Sequence, residues 1–91
     1  MVQRRLKKSG QRLRSLREEL RVIDEQIVHL GEDAADAELR ALVSETPQGT
    51  EPREARGQVD AMARHRAHVV AEIHRLEVLQ DELLDELNRS S

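Results

Sequence analysis

No phenylalanine, tyrosine, tryptophan or cysteine occurs in the 91 residues, and each absence closes off a class of protein. Aromatic side chains dominate the interiors of most compact folds, so sandwiches, barrels and dinucleotide-binding domains are poor candidates. The ring platforms on which single-stranded nucleic acid stacks are missing as well. Without cysteine there are no disulfides, thiolate zinc sites or thiol nucleophiles, as suits a reducing, cytoplasmic setting. Long apolar runs are also lacking. The longest are three residues, as in Ala41-Leu42-Val43 and Val69-Val70-Ala71, where about 20 are needed to cross a bilayer. The basic stretch Met1 to Lys8 precedes no apolar segment, so no export signal and no membrane partner are expected.

What is present is charge and small aliphatic residues: 36% charged, 37% hydrophobic, with a formal net charge of -3. Thirteen arginines against two lysines, with nine alanines, suggest a bacterial source. The first 30 residues carry eight bases and four acids, the next 30 three bases and eight acids. Prolines and glycines cluster once, in Thr46-Pro47-Gln48-Gly49-Thr50-Glu51-Pro52, where continuous helix is improbable. The chain is expected to double back there, with a turn over 46–51 and Pro52 in the first turn of a second helix capped by Thr50 or Glu51.

On either side, apolar or small residues recur at alternating spacings of three and four. Leu6, Leu13, Leu16, Leu20, Ile23, Ile27, Leu30, Ala34, Ala37 and Ala41 form one seam. Ala55, Val59, Met62, Arg66, Val69, Ile73, Leu76, Gln80, Leu83 and Leu87 form the other. These patterns predict an all-α protein, a two-helix antiparallel coiled-coil hairpin. Its expected parts are a basic N-terminal arm over 1–8, helix one over 9–45, the turn, and helix two over 52–88.

A turn centred near residue 48 pairs residues whose numbers sum to 96: Leu13 with Leu83, Leu20 with Leu76, Ile27 with Val69, Ala34 with Met62. Arg66 then faces Leu30, its head reaching water, and Gln80 faces Leu16. Beside the seam, Arg17 meets Glu77, Arg12 meets Glu86, Glu38 meets Arg56 and Asp33 meets His65. Gly31 stands opposite Ala63 in this register, where small residues would let the backbones approach closely; the alternative is a break at Leu30 with Asp33 capping a short helix. We expect a continuous or kinked helix. Val70, Leu79 and Leu84 flank the second seam without apolar partners, a stripe wide enough for a homodimeric four-helix bundle or for a larger protein partner.

No catalytic constellation is found, so neither enzyme activity, cofactor nor small-molecule substrate is expected. His65 and His68, with Asp33 and His29 across from them, read as a solvated face rather than a metal centre. Leu39, Leu42 and Val43 lie off the seam, either as a rotated local core or as an exposed patch ringed by Glu32, Asp33, Asp36, Glu45, Glu51 and Glu54, which would be a docking surface. Arg4, Arg5, Lys7 and Lys8 are candidates for a nonspecific nucleic-acid or ribosome contact.

An antiparallel hairpin with acidic residues at its turn resembles, over roughly residues 10 to 87, the coiled-coil domains of the Gre transcript-cleavage factors and the DksA-type regulators. The resemblance implies insertion into the secondary channel of bacterial RNA polymerase, with acidic turn residues near the catalytic magnesium, and so transcription regulation; no family residue is carried over. A small dimeric hairpin is similar in shape to the repressor-of-primer RNA-binding bundles. The main expectation is a non-enzymatic binding module that docks on a larger cytoplasmic assembly or self-associates.

Overall fold

The computed structural model describes residues 1–43 and 51–90, the side chains of Glu51 and Pro52 excepted. Two helices account for them, α1 over Val2–Val43 and α2 over Glu51–Ser90, and no strand occurs among the described residues. The chain is an all-α, two-helix antiparallel hairpin. The turn expected over 46–51 lies, but for Glu51, outside the described residues. Helix α2 begins one residue before the expected Pro52, and α1 begins at Val2, so the basic residues at 4–8 lie on the first turns of a helix and form no separate arm.

Helix α1 passes Gly31 without a break. The expected close approach at Gly31 is not found, for a Cβ built there meets nothing within 4 Å. The glycine is tolerated because its neighbours on α1, alanine and charged residues with good helix propensity, carry the helix through it.

Contacts divide the chain into two compact units, Met1–Arg21 with Ala67–Ser91, and Val22–Arg66. In the first, Leu13, Leu16, Val69, Leu76 and Leu83 are buried. In the second, the buried side chains are Ile23, Ala34 and Ala37. Every expected seam position on both helices is buried or half-buried, and two more belong to α1: Val2, half-buried, and Ser9, only 5% exposed. With these, α1's spacing of four and three runs unbroken from Val2 to Ala41, as a coiled-coil seam requires.

The register differs from expectation. A Cβ on Gly10 would lie 3.5 Å from Gln80 Nε2 in the first unit, and Asp24 receives a hydrogen bond from Arg66 in the second, so that both contacts join residues whose numbers sum to 90. On the expected sum of 96, Gly10 would face Glu86, six residues or roughly 9 Å away along the axis. The nearest seam register, about one heptad shorter than expected, sets Leu13 against Leu76, Leu20 against Val69 and Ile27 against Met62.

The shift has a physical reason. It brings Ser9 opposite Gln80, where the longer register sets Gln80 on Leu16, and although Arg66 faces Ile23 in the seam it has Asp24 beside it as a hydrogen-bond partner. Ser9 also donates its hydroxyl to the Leu6 carbonyl at 3.0 Å, which removes the cost of burying it.

Two of the expected ion pairs form within this register, Arg17 with Glu77 at 3.6 Å and Arg56 with Glu38. Helical side chains lean toward their own N-terminus, so on antiparallel helices the side chains of residues about five apart in axial register incline toward each other. Arg12 does not take Glu86 as partner; it shares a notch with Glu72 instead.

Candidate functional site

Leu39, Leu42 and Val43 are exposed on α1 at 59%, 82% and 74%, so they form no rotated core. They belong to a longer outward stripe. At 100° per residue, Val28, Ala35, Leu39 and Leu42 fall within an arc of about 60°, and all four are exposed. The buried Ala34 and Ala37 lie on the opposite side of the same helix. This segment therefore has two apolar faces back to back, a pattern expected of a helix covered on both sides. Of the carboxylates expected to ring the patch, Glu32, Asp33, Asp36 and Glu54 are exposed, Glu45 lies outside the described residues, and the side chain of Glu51 does too. At the end of this stripe Glu38, Ala41, Leu42 and Arg56 enclose a shallow groove. Arg56 is held there by its Nε–H bond to Glu38.

The α2 candidates are less open. Val70 is 39% exposed and Leu84 46%, while Leu79 is half-buried. Leu79 instead floors a notch in the first unit, of about 350 Å³, lined by Arg5, Lys8, Ser9 and Arg12 from α1 and by Glu72, Arg75, Leu76 and Leu79 from α2. The shorter register makes this notch, because it brings the first turns of α1 beside residues 72 to 79. Sequence reasoning missed it: Arg12 was assigned to Glu86, and Arg75 was not singled out.

Charge in the notch is unequal, with four cations around one carboxylate. Arg75 donates to both Glu72 oxygens, from Nε at 3.0 Å and from Nη2 at 2.6 Å. The bond from Arg75, with the nearby charges of Arg75 and Arg12, holds the Glu72 carboxyl below the usual carboxylate range against some desolvation, and Glu72 raises Arg75 in return. The side chains of Arg5 and Lys8 have no ion-pair or hydrogen-bond partner among the described residues. Arg4 and Lys7 are exposed on neighbouring faces of the same turns.

In the second unit, Leu30, Gln58, Ala61, Met62 and His65 line an open, mostly apolar depression. His29 Nδ1 stands 3.9 Å from Glu32. Among the described residues no group of three or more histidines and carboxylates is placed to hold a metal ion. No described helix is long and apolar enough to cross a membrane. Comparison with protein families, with curated proteins and with solved structures finds no match to this chain.

Proposed function

We propose that this protein is a non-enzymatic coiled-coil binding module, which uses the outward stripe of α1 to pair with a second copy of itself or with an apolar helix of a larger protein. The observation that carries this reading is the pair of opposed apolar faces on α1, one buried in the seam and the other bearing Val28, Leu39 and Leu42 in the open. A stripe at helical spacing is the shape that a second helix fills by knobs-into-holes packing. A heptad partner of the same kind is available in every copy of the chain.

Sedimentation velocity over a range of concentrations tests the self-pairing form. A rise in mass that persists at high salt is expected, since apolar burial is little affected by screening. The double substitution Leu39→Glu with Leu42→Glu should abolish it while leaving helicity intact. A strict monomer that also captures no helical protein would remove the proposal.

A further inference from the structure

We propose that the notch between the first turns of α1 and the middle of α2 grips the phosphate backbone of duplex nucleic acid, with Arg5, Lys8, Arg12 and Arg75 as its contacts. The inference is independent of the apolar stripe, which lies in the other unit of the chain. Its first support is the unbalanced charge: Glu72 occupies Arg75 and borders Arg12, which leaves Arg5 and Lys8 without a counter-ion among the described residues. Elsewhere in the chain Arg17, Arg21, Arg56 and Arg66 each have a carboxylate within ion-pair distance.

The second support is dimension. From Arg5 to Arg12 the helix advances roughly 10 Å, the axial rise of about three base pairs of duplex at ~3.4 Å each. Arginine's planar fork suits the paired oxygens of a phosphodiester, and three of the four cations are arginines. The third is the ligand class that the surface rejects. No phenylalanine, tyrosine or tryptophan is present for unstacked bases, and no histidine lines the notch, which favours a duplex read by its backbone alone. An anionic membrane is disfavoured because these first turns of α1 expose no large apolar side chain, Met1 standing just before the helix. The acids Asp81, Glu82, Asp85 and Glu86 do not line the notch, so attraction is confined to its own side of the unit.

Fluorescence anisotropy with a labelled mixed-sequence DNA duplex, read at several salt concentrations, is the test. Binding should weaken with a slope of log affinity on log salt near -3, as expected for three to four neutralised phosphates. Arg5→Gln with Lys8→Gln should flatten that slope by about two, and Arg75→Gln by up to one. Glu72→Gln should tighten binding roughly three- to tenfold at low salt by removing the lone carboxylate; a gain cannot arise from unfolding. Arg64→Gln, on an exposed face of the other unit, should change nothing. The proposal is overturned by failure to bind duplex in dilute salt, by indifference to the Arg5 and Lys8 changes or to Arg75→Gln and Glu72→Gln alike, or by equal retention on vesicles of phosphatidylcholine with phosphatidylserine.

Discussion

Arg66, a seam residue of α2, donates its Nε–H to Asp24 Oδ1 of α1 at 2.6 Å, and both side chains are about half exposed. The hydrogen bond from Arg66 to Asp24 holds the guanidinium above its usual range. A cation placed in a coiled-coil seam costs stability, and its return is that a slipped register would separate it from Asp24. Asp24→Ala should therefore lower the melting temperature modestly. Arg66→Leu should raise it while allowing a second register, seen as doubled amide resonances in an NMR spectrum.

Register itself can be read chemically, because the chain has no native cysteine to compete. Ser9→Cys with Gln80→Cys should be joined by a short thiol-specific cross-linker. Leu16→Cys with Gln80→Cys should resist it, since the two sites lie about 10 Å apart along the axis in the shorter register. The opposite pattern would sink the pairing described above.

Gly31 and Gly57 are both helical, and an added methyl group at either one meets open space. Replacement by alanine should stabilise the fold by about 1 kcal/mol at each position, chiefly by restricting the unfolded chain. Thermal melts followed by circular dichroism at the helical band should rise by ~4–8 °C per substitution. No gain at Gly31 would mean that the glycine meets a constraint absent from the isolated hairpin.

Leu13 is 1% exposed and Leu42 82%. Truncating Leu13 to alanine should cost about 2–5 kcal/mol, a large share of the ~5–14 kcal/mol available to a chain of this length. Leu42→Ala should stay within about 0.5 kcal/mol of the parent in denaturant unfolding. Equal effects at the two sites would contradict the assignment of inner and outer faces.

Acid should weaken the hairpin. Glu18, bonded to Arg21, and Glu72, bonded to Arg75, both sit below the ordinary carboxyl value of 4.5 when folded. Their stabilising contribution is therefore complete above that value and disappears as pH falls through the lowered ones. Between about pH 5 and pH 3 the melting temperature should drop, and the Glu18→Gln, Glu72→Gln variant should drop less. Glu18 is exposed and Glu72 half-buried at the notch rim, so raising the salt concentration should shrink the difference, more at Glu18 than at Glu72.

Helix number, hairpin topology and the inner faces were legible because period and breaker placement act locally: a three-four repeat either side of Pro47 and Pro52 allows little else. Register was not legible from the leucines, since a heptad seam slipped by seven residues still sets apolar on apolar. Two polar residues carry the distinction. Ser9, passed over because a serine does not look like core, completes the α1 repeat beside Gly10, which Gln80 approaches; Asp24 accepts a hydrogen bond from Arg66. The notch went unseen for the same reason, as Arg12 and Glu72 come together only once the register is right. For Leu39 and Leu42, periodicity placed them off the seam, while their exposure depends on what packs around α1 and so had to come from the structure.

Along α1 the inner face passes from Leu13 and Leu16 in one unit to Ala34 and Ala37 in the other. Each leucine-to-alanine step forfeits about three methylenes of burial, or ~2.4 kcal/mol per layer. Opening should accordingly start in the Val22–Arg66 unit, whose amides should exchange with deuterium well before those around Leu13 and Leu83. The hairpin would come apart as a zipper with one reinforced end, and a protease or a remodelling motor would find its entry among the alanines.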